Sequence, residues 1–247
     1  MTPLVMVHGF MGGSAQWDGQ RQSMADMREV IALDLPGFGL NAHLPVIRTI
    51  EGFAAWVIAE LRDKGIETFD LLGHSMGGMI VQEIARLVPD RIDKLVLYAT
   101  GAVGVLPGRF ETIAQSKLRA QADGAQATAR RIAESWFLDR TQSPAYKGCA
   151  SIAEQAGLDA ILAGLEAMEV WSGEDALADL RCETLVIWGD RDRTYPWSQI
   201  EKLWRRIPNT SLSVFPKCAH AIHLEKPAQF NEVLIDYLGP AQRTTAR

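Results

Sequence analysis

A chain of 247 residues, 47% hydrophobic and 22% charged, has the make-up of a globular protein built around one sizeable core. Its 30 acidic against 25 basic residues give a net charge of −5, and no basic patch laced with aromatics is present, which argues against a nucleic-acid partner. The three cysteines, Cys149, Cys182 and Cys218, are widely and irregularly spaced and fit neither a disulfide framework nor a zinc pattern, so a reducing cytoplasm is the expected compartment. No secretory leader pattern opens the chain, and no apolar run approaches the roughly 20 residues that a membrane helix needs.

Short apolar runs alternate with stretches of helical period. Residues 4–10 (LVMVHGF) read as a buried strand running into a glycine turn, and 29–35 (EVIALDL) as a second strand stopped by Pro36-Gly37. Residues 50–65 place Phe53, Val57, Ile58 and Leu61 on one helical face. A third strand is expected over 69–75 (FDLLGHS), followed by a helical segment over 76–90. Three further strands are predicted over 94–100, 184–190 and 211–217, with helices over 197–207 and 227–239. Strands apolar on both faces and alternating with helices imply an α/β fold, a mostly parallel central sheet flanked by helices. Residues 101–180 contain no convincing strand and read as a helical insertion, a cap, between the core segments 1–100 and 181–239. The final stretch, 240–247, reads as a disordered tail.

The most informative string is LLGHSMGG (71–78), which contains G-x-S-x-G centred on Ser75. A serine exposed on a sharp strand-to-helix turn needs small neighbours two positions away on either side, and the helix that starts there directs its free N–H groups at the reacting oxygen. Here a predicted strand precedes the motif and a helix follows it, so Ser75 is the candidate nucleophile.

With this motif the chain resembles the α/β-hydrolase superfamily, specifically its small cap-bearing members. Four strings carry the resemblance in order along nearly the whole chain: HGFMGG (8–13), GHSMGG (73–78), WGDRDRTYP (188–196) and AHAIHLEKP (219–227). The resemblance implies a catalytic triad of Ser75, Asp192 and His220, with an oxyanion hole made by the backbone N–H groups of Phe10 and Met76. Asp192 is selected over Asp190 because the family's acid stands four residues before the proline, here Pro196; Asp190 is left to brace the loop, and Arg191 and Arg193 read as solvated flanking charges.

The two histidines of KCAHAIHLEKP (217–227) are separated in the same way. The family's base is followed by Glu five positions later and Pro seven later, which His220 satisfies through Glu225 and Pro227 and His223 does not. Ala219 stands where the family usually has glycine, and the family's leading β-hairpin has no counterpart before residue 4. An H-x-x-H metal pair lacks a third converging ligand, so neither a metal nor another cofactor is expected. His8 and His74 are expected to hydrogen-bond within the turns that build the site, His43 to sit in a loop, and His223 to be a partly buried polar residue nearby.

The resemblance implies hydrolysis of a small-molecule ester or lactone through an acyl-enzyme. Alternatives within the fold are carbon–carbon bond hydrolysis of a vinylogous diketone, a lyase of the menaquinone-pathway type, and a non-enzymatic ligand receptor. Phe10, His74, Met76, Trp136 and Trp171 are the expected substrate-binding residues, and Arg109, Arg130 and Arg131 are candidate partners for a substrate carboxylate. Oligomeric state is not readable from the sequence.

Overall fold

The computed structural model describes residues 2–107 and 111–239, so the expected tail (240–247) and Arg109 lie outside the described residues. The predicted apolar runs form six strands: β1 (Leu4–Val7), β2 (Val30–Leu33), β3 (Phe69–His74), β4 (Ile92–Tyr98), β5 (Glu183–Gly189) and β6 (Thr210–Phe215). All neighbouring pairs are parallel, in the order β2-β1-β3-β4-β5-β6. Parallel strands need crossovers, and these put helices on both faces of the sheet.

The strands read as continuous apolar runs because both faces are buried. Val5, Val7, Leu71, Leu95 and Leu97 point to one side and Leu4, Met6, Leu72, Val96 and Tyr98 to the other. The first face is covered by α2 (Ile50–Asp63), α3 (Met76–Leu87) and α8 (Trp197–Arg206), through residues such as Phe53, Val57, Ile80, Ile84, Ile200 and Leu203. The second is covered by α1 (Asp18–Met24), the short α9 (Ile222–Glu225) and α10 (Pro227–Leu238), through Met24, Ile222, Phe230, Leu234 and Leu238. The buried Arg28 guanidinium ties this layer to the sheet, pairing with Asp70 and donating to the carbonyls of Leu238 and Gly239 at the end of α10.

Helix α1 was not anticipated from the sequence. Its residues, DGQRQSM, carry one apolar side chain, so no 3.6-residue period marks it. It is held by a polar anchor instead: the buried Gln20 amide donates to the His223 carbonyl (3.2 Å) and to Asn231 Oδ1 (3.0 Å).

Among the described residues, four α-helices lie between β4 and β5: α4 (Ile113–Asp123), α5 (Ala125–Ser135), α6 (Tyr146–Ala153) and α7 (Leu158–Val170). A capping box between Thr112 and Gln115 starts α4. The two chain segments that lead into and out of this insert run side by side. Gly173 N–H donates to Ala102 O (2.9 Å), Gly104 N–H to Trp171 O (3.1 Å), and Val103 and Ser172 form an antiparallel bridge.

Candidate active site

Ser75 sits between the end of β3 and the first residue of α3 with φ 56° and ψ −120°, a backbone conformation that L-residues with a side chain rarely adopt. The strain persists because the turn is over-determined. Ser75 N–H donates to Tyr98 O (2.9 Å), and Ser75 O accepts from Gly78 N–H and Thr100 Oγ1 (both 2.8 Å). The flanking glycines are required by space: a Cβ on Gly73 would stand 2.3 Å from Gly77 O, and one on Gly77 2.3 Å from Val7 O. Met76 opens α3, so its N–H is one of those a helix start leaves without an intrahelical partner.

The loop after β1 closes against this turn. Gly12 N–H donates to Gly9 O (2.9 Å), and Met11 at φ 60° completes a tight reversal through Phe10. A Cβ on Gly9 would stand 2.8 Å from the Ser75 Cβ, which measures how closely the loop approaches the serine. Buried His8 fixes the loop. Its Nε2 accepts from Leu35 N–H (2.9 Å), so its Nδ1 carries the proton and donates to Gly9 O (2.8 Å). Burial lowers the His8 pKa and keeps the ring neutral for this role.

Asp192 and His220 meet across the ends of β5 and β6. His220 Nδ1 lies 2.9 Å from Asp192 Oδ2, and both side chains are buried. The other carboxylate oxygen of Asp192 accepts from Thr194 N–H (2.7 Å) and Tyr195 N–H (3.3 Å), which orients Oδ2 toward the ring. The Tyr195 ring stacks on the imidazole, with centroids 5.8 Å apart and planes 14° apart. Asp190 takes the bracing role expected of it, accepting from Lys217 N–H (2.7 Å).

A layer of aromatic and imidazole rings lies behind His220. His74 Nε2 lies 3.1 Å from the His220 carbonyl and, since a carbonyl only accepts, carries the proton. Tyr98 Oη lies 3.1 Å from the same carbonyl, 3.0 Å from His223 Nδ1 and 3.2 Å from His223 N. Burial raises the Tyr98 pKa well above its ordinary value, so the phenol keeps its proton. Burial likewise lowers the pKa of His74 well below its usual range and that of His223 to about 3, so both rings are neutral. The fully buried Trp17 packs on His223 with centroids 4.4 Å apart. His223 is therefore wholly enclosed, not partly buried, and its bonded ring nitrogen faces Tyr98 while that of His220 faces Asp192. Among the described residues no group of three or more His, Cys, Asp or Glu is placed to hold a metal ion.

The five residues expected to bind substrate differ in exposure. Of the five residues named, only Phe10 keeps appreciable exposed surface. His74 is enclosed by Trp17, Tyr98, His220 and His223, and the Met76 side chain is fully buried in the main core. Trp171 packs in the core while its indole N–H donates to Glu83 Oε1 (2.9 Å) partway along α3. Trp136 packs with Ala133, Phe137, Cys149, Ala150 and Ala221. Hydrophobicity alone does not distinguish a core residue from a pocket wall. Arg130 and Arg131 pair with Glu154 (2.5 Å) and Asp123 (3.8 Å) within the insert. The thiols of Cys149 and Cys218 are pushed up to about 11 by burial, which removes them as competing nucleophiles near neutral pH.

Arg193 is exposed, as expected of a flanking charge, and is also a cross-link. It donates from Nη1 to Phe137 O (3.0 Å) and from Nη2 to Leu138 O (3.2 Å), in the insert. No local sequence signal marks this role, because its acceptors are main-chain carbonyls 55 and 56 residues away.

The motif order, the parallel sheet and the strained serine turn together define a family. The model of the alpha/beta hydrolase fold family matches residues 2–227, and the chain belongs to that family. It is 30% identical to the dihydrolipoyllysine-residue acetyltransferase component of the acetoin cleaving system of Pseudomonas putida, an alignment covering 96% of this chain and 63% of that protein. It is 27% identical to the 2-hydroxy-6-oxo-6-phenylhexa-2,4-dienoate hydrolase of Comamonas testosteroni, over 95% of this chain and 87% of that one. Among solved structures, a thermophilic esterase from Thermogutta terrifontis superposes with a TM-score of 0.86 at 27% identity, covering 96% of this chain and 89% of the esterase. Among the described residues no helix is long and apolar enough to cross a membrane.

Proposed function

We propose that this chain is a serine hydrolase that cleaves a small carboxylic ester or lactone through an acyl-enzyme on Ser75. The observation that carries this reading is the buried His220 Nδ1–Asp192 Oδ2 contact of 2.9 Å, in a chain whose Ser75 is held at φ 56° in the turn from β3 into α3. In this reading His220 Nε2 takes the Ser75 proton as the oxygen attacks the substrate carbonyl. The Phe10 and Met76 N–H groups receive the developing oxyanion, each worth on the order of 10²–10³ in rate. The imidazolium, stabilised by Asp192, then protonates the leaving oxygen. Water activated by His220 cleaves the acyl-enzyme and restores the serine. The insert α4–α7 acts as the cap that shapes the acyl and alkyl sites, with Phe10 at the boundary. The likeness to the T. terrifontis esterase supports the ester reading.

The test is turnover of short-chain p-nitrophenyl esters and of lactones by the wild type and by Ser75→Ala, beside a vinylogous diketone. The variant is expected to lose activity about 10⁶-fold. Retention of more than about one part in 10³ sinks the serine mechanism, and turnover of the diketone alone moves the chain to the carbon–carbon class. Stoichiometric fluorophosphonate labelling without turnover of any ester indicates a ligand receptor.

A further inference from the structure

The main-chain N–H of His220 is not bonded within its own loop. It donates to Trp136 O (3.0 Å), and the next N–H, that of Ala221, donates to the same carbonyl (3.0 Å). The base therefore hangs from the end of α5, inside the insert. The following two residues of the insert are gripped in turn. Arg193 donates to the carbonyls of Phe137 and Leu138, and Glu225 accepts the Leu138 N–H at Oε1 (2.6 Å) and the Ala219 N–H at Oε2 (2.7 Å). Residues 136–138 thus form a strap, held on one side by the residue after the triad acid and on the other by the loop that carries the base.

Trp136 and Phe137 are buried in a cluster with Ala133, Cys149, Ala150 and Ala221, while Leu138 borders an open cleft of about 470 Å³, lined also by Asp139, Ser143, Leu224, Glu225 and Lys226. The strap is held by packing at its first two residues and, at Phe137 and Leu138, by the hydrogen bonds that span it. Asp192 fixes the imidazole through Nδ1 while its neighbour Arg193 fixes the carbonyls beside the one that holds the His220 main chain. The two adjacent residues act on the same base, one directly and one through the insert.

We propose that Arg193 is a positioning residue for His220, acting through the strap Trp136–Leu138, so that placement of the insert sets the aim of the base. The proposal rests on the Ser75–His220–Asp192 reading given above. A displacement of about 1 Å at a reacting group costs up to about 10²-fold in rate. Releasing the strap is therefore expected to lower kcat about tenfold, with KM for a short ester changed less than threefold.

The experiment compares the wild type, Arg193→Ala and Arg193→Lys by p-nitrophenyl acetate kinetics, by the rate of covalent labelling with a small fluorophosphonate, and by thermal unfolding. Labelling reports activation of Ser75 by His220 and requires no release of an ester product. Expected are parallel falls of about tenfold in kcat and labelling rate for Arg193→Ala, partial recovery in Arg193→Lys, which keeps one donor, and a Tm well above the assay temperature. Unchanged kcat and labelling, or a rise in KM alone, overturns the proposal, since a residue that merely shapes the binding site gives the latter. A wild type that neither labels nor turns over ester overturns the triad reading and the proposal with it.

Discussion

Tyr98 reaches from the end of β4 to place its hydroxyl 3.1 Å from the main-chain carbonyl of His220. The same hydroxyl lies within hydrogen-bonding distance of His223 Nδ1 and of the His223 main-chain N–H. With the phenol proton given to His220, its oxygen accepts both His223 donors. The two histidines of the 217–227 segment are then coupled, one as base and one as part of its footing.

This arrangement makes the two histidines unequal. His220→Ala is expected to lose about 10⁶-fold in ester turnover, as for comparable bases. His223→Ala and Tyr98→Phe leave the Asp192–His220 contact in place, so each is expected to retain far more activity. Each is also expected to cost about 1–3 kcal/mol of stability by stranding buried polar groups. Kinetics with p-nitrophenyl acetate and urea unfolding measure both. Equal and complete losses at positions 220 and 223 would reopen the paired-ligand interpretation.

Stability is expected to fall in mild acid. His8, His74 and His223 have pKa values lowered by burial, that of His223 to about 3, whereas each returns to about 6.5 when unfolded. Between these limits the unfolded chain binds more protons than the folded one. The stability from these neutral rings is thus complete above about pH 6.5 and is lost as pH falls through each folded value, which for His223 is about 3. Each ring that stays neutral over this window contributes a slope of about 1.4 kcal/mol per pH unit. Urea titrations at pH 7.5, 6.5 and 5.5 test this, and His223→Asn should lower the slope by about one proton. A pH-independent midpoint across that range would show that the rings are not buried neutral.

The backbone strain at Ser75, the proposed nucleophile, predicts a trade of activity for stability. Ser75→Gly removes both the hydroxyl and the cost of φ 56°, and is expected to be inactive yet more stable than Ser75→Ala by about 1 kcal/mol. Gly77→Ala drives a methyl toward Val7 O and is expected to lose about 3 kcal/mol. Calorimetric Tm values rank the three variants. A Ser75→Gly protein less stable than Ser75→Ala would mean that the elbow stores no strain.

Gly164 in α7 sets where Phe10 rests. A Cβ there would stand 2.8 Å from two Phe10 ring atoms and 3.3 Å from Phe38 Cζ. Gly164→Val is expected to push the Phe10 ring and, through it, the N–H assigned to the oxyanion. A fall in kcat of about tenfold is anticipated, below the 10²–10³ for removing such a donor outright. Unaltered kcat for esters of every chain length would separate the insert from the oxyanion loop.

The sequence by itself determined the sheet and the glycine-flanked serine turn, and it singled out His220, the histidine that meets Asp192, over His223. These rest on local rules: apolar runs buried on both faces, glycines where no Cβ fits, and fixed offsets from strand ends. Tertiary structure decided what those rules cannot reach. Helix α1 escaped notice because it is anchored by Gln20 and not by an apolar stripe. The burial of Trp171 and His74 was equally illegible, because composition does not tell a side chain's direction. Arg193 looked idle because its acceptors are backbone carbonyls of a distant segment, and every residue carries one. Only folding brings the end of α5 over the base and makes a surface arginine part of its support.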